Sequence, residues 1–306
     1  MKYGLGNPLK PFVMIVDLGK ERFEAIPAAT KSLLIVMGIE QKWDLLLENY
    51  ADYERELLNI SLESSLFPER AYERKRDHGQ AVNRRLANLL TAARLYVDQT
   101  ERDLAYVHGS APSHIPDLIK QKRSQEYNAR LGYRVMESLR NYMQHRGMPL
   151  RAILYSTSWN DDHTKLRFSV IPMLDVTGLA DDQKFKRSVL QELRSKKTEI
   201  PITNLVREYI EGLGVAHQAL RAALSDNVKI WDGLLKDAWV EAGRSAGTAL
   251  EAVSVIRVEE DGETIISQLI APELWEYRES LAAKNSFVES LAVRYVSSER
   301  VVGKGW

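Results

Sequence analysis

From about residue 41 to residue 146, apolar side chains return every three or four positions, and this period commits the middle of the chain to helices. The first run carries Trp43, Leu46, Leu47, Tyr50, Tyr53, Leu57 and Leu58, and Pro68 ends or restarts it. A second run, over 69–107, places Val82, Leu86, Leu89, Leu90, Ala93, Tyr96, Val97 and Leu104 on one period. "HGSAPSHIP" (108–116) reads as a loop from its Gly, Ser and Pro. A third helix is predicted over 117–146, with Leu131, Val135, Leu139, Tyr142 and Met143 on its apolar face. Gly147 is the expected left-handed cap, and Pro149 cannot continue the helix.

On either side of this stretch the pattern changes. "PFVMIVDLG" (11–19) reads as a short buried strand, and "SLLIVMG" (32–38) as a second strand or a helix start. "RAILYSTSW" and "KLRFSVIPML" form β-rich runs joined by the polar "NDDHT", which predicts a hairpin. Helices are expected at about 180–197, 202–224 and 227–244, a strand at 250–258, and a largely helical stretch over 272–296. The fold class that follows is mainly α (α+β): a helical bundle, one small antiparallel sheet built from N-terminal, central and C-terminal strands, and extra C-terminal helices. Three segments are expected: strands in 1–38, the bundle in 39–148, and the hairpin with later helices and strand in 149–306.

The chain has 306 residues, enough for a large core, and contains no cysteine, which excludes disulfides, thiolate metal sites and cysteine nucleophiles. Its N-terminus lacks the charged and apolar regions of a signal peptide, and no run approaches a membrane span, so a cytoplasmic protein is expected. Net charge is zero, but its distribution is uneven. Residues 70–94 hold seven Lys/Arg against Glu73 and Asp77, and residues 120–146 hold seven against Glu126 and Glu137. Two such windows are either a locally positive surface suited to a phosphate backbone or two solvated helix faces.

"LRNYMQHRG" (139–147) ends the third helical run with Arg140, Asn141 and His145. With 25 Arg and 6 His in the chain, an Arg separated from a following His by four to six residues arises roughly 1.5 times by chance. Two occur, Arg140/His145 and Arg102/His108 in "RDLAYVH", so spacing alone carries no information. Context adds some. Residues 82–108 and 126–149, "EYNARLGYRVMESLRNYMQHRGMP", together resemble the HEPN superfamily of helical-bundle proteins, and the bundle that contains them covers about a third of the chain. That superfamily's signature is an Arg, a polar residue, three to five others and a His near the end of a bundle helix, and residues 140–145 match it. The resemblance implies a metal-independent endoribonuclease, usually dimeric, acting as a toxin or phage-defence effector. Some members are instead non-catalytic binding or dimerisation modules.

The residue types suit that chemistry. RNA carries its own nucleophile, the 2′-OH, so the protein has only to move protons and offset charge on the phosphorane. A histidine does the first and a forked, permanently charged guanidinium the second. Asn141, four residues before His145 and on its side of the helix, is placed to orient it, with Arg134 on the same side. Arg140 and His145 diverge by about 140° on an ideal helix, so one straight helix does not aim both at one phosphate. Two copies across a twofold axis do, and a homodimer is therefore expected, with RNA as partner and an antitoxin or regulatory protein left open. The competing readings are C-terminal cations complementing the helix dipole, and a helical adaptor for protein partners.

Other features point to structure rather than chemistry. Asp161, Asp162 and His163 crowd one turn, where adjacent ligands rarely close around a metal. Gly4 and Gly6 precede their strand, the wrong order for a dinucleotide loop, and no P-loop, HExxH or GxSxG occurs. No cofactor is expected. His217 lacks a partner at useful spacing and reads as structural, while Trp231, Trp239 and Trp275 read as core or interface residues. "YERKRDHG" (72–79) is either a phosphate contact or a solvated helix start.

Overall fold

A computed structural model describes residues 1–9, 14–67, 72–109, 113–196, 200–248, 250–286, 289–294 and 296. In chain order the elements are β1 (Lys2–Gly6), β2 (Met14–Asp17), α1 (Lys20–Leu66), α2 (Tyr72–Leu104), α3 (Ile115–Ala129) and α4 (Leu131–His145). They continue with β3 (Leu150–Trp159), β4 (Leu166–Leu174), α5 (Val176–Asp181), α6 (Arg187–Lys196) and α7 (Thr203–Ala246). Last come β5 (Val253–Val258), β6 (Thr264–Ile270), α8 (Glu273–Lys284) and a 3₁₀ turn at Leu291–Val293. The protein is mainly helical with small antiparallel sheets, the expected class.

The first helix starts some twenty residues earlier than its period suggests. Ile26, Ala29, Leu33, Val36, Ile39, Trp43 and Leu46 are buried in one unbroken helical row. The run at 32–38 is helix for the same reason: Leu33 is fully buried while its neighbour Leu34 faces out. Pro27 sits inside this helix and forfeits one backbone bond, while the Thr30 hydroxyl donates to the Ile26 carbonyl at 2.9 Å. Likewise the expected helices at 202–224 and 227–244 are the single helix α7, because Leu220, Leu224, Leu235, Ala238 and Ala242 keep one period through the polar residues between them. In the opposite direction, the stretch at 180–197 divides into α5 and α6, and the helix expected at 117–146 breaks at Arg130, which is extended. Pro68 and residues 10–13 lie outside the described residues.

The chain divides into two compact units, each assembled from distant segments rather than from the consecutive blocks 1–38, 39–148 and 149–306. The first comprises Met1–Glu48, Ala92–Gln121 and His217–Ser286. Its four-stranded sheet has the order β2-β1-β5-β6, all antiparallel, with β1 running against β5 from Lys2↔Val258 to Gly6↔Ser254. Two of these strands, β1 and β6, carry no strand signal in the sequence reading. Leu5, Val253, Val255 and Ile270 from the sheet pack with Ile26, Leu33, Leu235 and Trp275 from the helices. Trp231 and Trp239 pack against that core, the role expected for them.

The second unit comprises Asn49–Thr91, Lys122–Ala216 and Phe287–Trp306. It holds α4, α5, α6 and the β3–β4 hairpin, which pairs from Leu150↔Leu174 to Trp159↔Leu166 and forms its own two-stranded sheet. The single sheet expected from N-terminal, central and C-terminal strands is thus two sheets. The hairpin turn is fixed by its polar residues: Asn160 Oδ1 accepts from the Thr164 and Lys165 amides, and Asp162 Oδ1 from Thr164. His163 takes a left-handed φ of 56° there. No helix among the described residues is long and apolar enough to cross a membrane.

Candidate functional site

The helix that carries Arg140, Asn141 and His145 is anchored at its start. Gly132 lies so close to α7 that a Cβ there would overlap the Leu205 carbonyl oxygen, and its amide donates to Glu208 Oε2 at 2.8 Å. That bond caps the N-terminus created by the break at Arg130 and places a carboxylate at the positive end of the helix. Arg130 itself bonds Glu126 at 2.7 Å and Glu211 at 3.0 Å, which holds the end of α3 to α7. Leu131, Tyr133, Val135, Met136 and Leu139 form the buried face of α4. These contacts hold Arg140 and the last turn in a set direction.

Arg134, expected beside Asn141 and His145, is committed elsewhere. Its guanidinium bonds both carboxylate oxygens of Glu192, at 2.7 and 2.9 Å through Nη2, and donates to the Tyr127 and Asn128 carbonyls at 2.9 and 2.6 Å. It ties α4 to α6 and to the end of α3. Arg134→Gln is expected to lower stability by about 2 kcal/mol, measured by urea denaturation, because it strips charge-assisted bonds from a largely buried guanidinium.

At the other end of α4, Arg140 is partly buried and donates from Nη1 to Asn141 Oδ1 at 3.0 Å. Its Nε is buried with no hydrogen-bond partner among the described residues. Asn141 and His145 are exposed, and the His145 imidazole makes no hydrogen bond or ion pair among the described residues. The expectation that Asn141 orients His145 is therefore not met: its carbonyl oxygen belongs to Arg140, a neighbour in sequence whose long side chain reaches it first. The helix closes with the Arg146 amide bonding the Tyr142 carbonyl at 2.8 Å, and the Arg146 side chain bonds buried Asp182 at 3.1 Å. Gly147 does not supply a left-handed cap. Among the described residues the glycines with positive φ are Gly109, Gly247 and Gly262.

Many charges in the two basic windows are paired. Arg85 meets Glu56 and Asp52, Arg94 meets Asp98, and Arg130, Arg134 and Arg146 meet the carboxylates already named. Arg74, Lys75, Arg76 and Arg84 are exposed. The windows are thus partly scaffold, and the solvent-facing cations concentrate near the start of α2. The second Arg–His pair is a helix end: Arg102 is exposed, α2 stops at Leu104, and the His108 ring packs 5.6 Å from Trp231.

His217 is structural, as its sequence context suggests, with partners that the sequence does not reveal. In the first unit its ring is fully buried, stacked on Trp43 at 4.6 Å. Nδ1 lies 2.9 Å from the Tyr96 hydroxyl and Nε2 3.4 Å from Glu40, which also takes two bonds from Arg221 at 2.9 and 2.6 Å. Burial alone would raise the Glu40 pKa, but bonds from Arg221 and His217 hold it down at about 2. Burial pushes His217 below the ordinary imidazole value and outweighs the Glu40 charge, so the ring is neutral. A neutral ring beside a carboxylate donates from Nε2 and accepts the Tyr96 hydroxyl at Nδ1. The partners come from α1 and α2, more than a hundred residues away, and no local pattern announces them. Enclosed as it is, the cluster is a polar core and not a substrate site. Among the described residues no group of three His, Asp or Glu is placed to hold a metal ion. No protein-family model, curated protein or solved structure matches this chain.

Proposed function

We propose that the protein is a HEPN-type, metal-independent endoribonuclease that uses Arg140 and His145 from two copies of the chain. The supporting observation is the placement of Arg140: a guanidinium at the end of α4, partly exposed and braced through Nη1 by Asn141. A fixed, charged fork of this kind suits a phosphate oxygen. His145 is exposed one turn on, at the C-terminal end of the same helix. In this reading the RNA 2′-OH attacks the adjacent phosphorus and passes its proton to one copy's His145, Arg140 offsets the phosphorane charge, and the other copy's His145 protonates the departing 5′ oxygen. The products are a 2′,3′-cyclic phosphate and a 5′-OH end. Such an enzyme fits a cytoplasmic toxin or phage-defence effector, and growth arrest on expression of wild type but not His145→Ala is the matching cellular phenotype.

One observation favours a second reading. With Asn141 bound to Arg140, no described residue orients His145, which suits a non-catalytic RNA-binding or dimerisation module. Incubation with end-labelled single-stranded RNA in EDTA separates the two. The nuclease reading expects cleavage that falls roughly 10²–10⁴-fold in His145→Ala and in Arg140→Ala, with cyclic-phosphate ends. Binding without cleavage, equal in wild type and His145→Ala, establishes the module instead.

A further inference from the structure

Another histidine site lies in the second unit. His78 on α2 is 8% exposed and sits between Tyr155 on β3 and Glu63 near the end of α1. The Tyr155 hydroxyl is 2.8 Å from His78 Nδ1, and Glu63 Oε2 is 3.1 Å from Nε2. An ionised carboxylate only accepts, so Nε2 carries the hydrogen and Nδ1 is left to accept the phenol proton. Hydroxyl, imidazole and carboxylate in that order form the arrangement that turns a hydroxyl into a nucleophile: a base beside it, and a third group fixing the base. Here the hydroxyl is a phenol, and Glu63 is about half exposed.

The surroundings indicate what such a phenol would attack. Alternation along β3 puts Thr157 and Trp159 on the Tyr155 face, and register adds Phe168 opposite Thr157 and Leu166 opposite Trp159. Trp159 is 56% exposed at the outer end of this row. On α2, Arg74 and Lys75 precede His78 by four and three residues, on its side of the helix, and both are exposed. The Arg74 guanidinium lies over the Phe67 ring at 5.5 Å. Exposed aromatic faces for bases beside cations for phosphates are what a single strand of nucleic acid requires.

We propose that Tyr155 is a nucleophile for phosphodiester transfer on single-stranded nucleic acid, with His78 as its base and Glu63 as a positioning residue. The phenol oxygen bonds to phosphorus, its proton passes to His78 Nδ1, and the P–O bond to one sugar oxygen breaks. That oxygen takes the proton from His78, leaving a phosphotyrosyl bond and a free hydroxyl end. The reverse step restores the strand, and no water, metal or oxidant enters the balance.

Single-stranded DNA is the probe, because it lacks the 2′-OH that the Arg140–His145 reaction needs, so either proposal can fail without the other. The full-length chain is incubated with end-labelled DNA oligonucleotides and resolved in denaturing detergent. A labelled adduct is expected for wild type and for His145→Ala, mapping by mass spectrometry to the Tyr155 peptide. Tyr155→Phe, which keeps the ring and should melt within a few degrees of wild type, is expected to give none, and His78→Gln at least tenfold less. Glu63→Gln, which keeps the shape and removes the charged acceptor, is expected to lower adduct formation about tenfold at an unchanged melting temperature, and Glu63→Asp to recover part of it. A purely structural bridge would lower the melting temperature and leave the adduct yield of the folded protein in place. No adduct with wild type, or an equal adduct with Tyr155→Phe, overturns the proposal.

Discussion

Glu40→Ala is expected to destabilise the first unit by about 3–5 kcal/mol, the cost of breaking a buried ion pair from one side. The loss falls on several partners at once. Arg221 keeps its charge but loses both of its bonds to Glu40, and the His217 Nε2–H is left unpaired in a fully buried ring. Urea denaturation followed by circular dichroism measures the effect. A change below 1 kcal/mol would show that the cluster packs as well without its carboxylate. Tyr96→Phe removes a single buried hydroxyl and is expected to cost about 1–2 kcal/mol, a smaller step along the same network.

The same cluster sets an acid limit on stability, and its sign is fixed by two depressed pKa values. Glu40 lies near 2 in the fold against an ordinary 4.5, and His217 lies below its ordinary 6.5. For both groups the unfolded chain binds protons that the folded chain does not, so stability rises with pH across each window. On acidification the His217 contribution is lost first, as pH falls below 6.5. The Glu40 contribution follows, as pH falls from 4.5 towards 2. A pH series of unfolding midpoints is expected to fall through both ranges in wild type. In His217→Gln the decline that begins below pH 6.5, ahead of the Glu40 range, should flatten. An unchanged slope there would sink the assignment of a neutral buried imidazole.

Gly132→Ala is the second large effect, expected to cost about 2–3 kcal/mol as overpacking against backbone. The added Cβ would meet the Leu205 carbonyl oxygen and lie 2.9 Å from the Leu205 Cα, and neither atom can rotate away. To make room α4 must retreat from α7, which also lengthens the Gly132–Glu208 bond and shifts the helix that presents Arg140. If the proposed nuclease reading holds, RNA cleavage falls together with stability. Gly147→Ala is the control: nothing lies within 4 Å of its added Cβ and its φ is not positive, so the change should be within about 0.5 kcal/mol. A glycine chosen for a left-handed cap would give the opposite ranking, which makes the pair of melting curves decisive.

What could be read in advance was whatever depends on neighbours in the chain. The apolar period of α1, α2 and α4 is local, because a helix buries one stripe of its own residues, and it was legible wherever that stripe was regular. The β3–β4 hairpin was legible from its alternation and polar turn. The break at Arg130 was not, since the cause is the closeness of Leu205 and Glu208, some seventy residues on. Nor were β1 and β6, whose partners lie at the opposite end of the chain from β1 or across a turn. Arg134 and Asn141 look alike as polar neighbours of a histidine. Glu192 takes the one into the scaffold, and Arg140 takes the carbonyl of the other.

By itself, then, the order of residues determined a mainly helical chain and the position of Arg140, Asn141 and His145 at one helix end, because periodicity and end signals act over a few residues. Tertiary structure alone decided which side chains are committed. Hydrogen bonds and ion pairs form wherever distant segments bring donors to acceptors, as Glu40 meets His217 and Tyr155 meets His78. Separation along the chain places no limit on that.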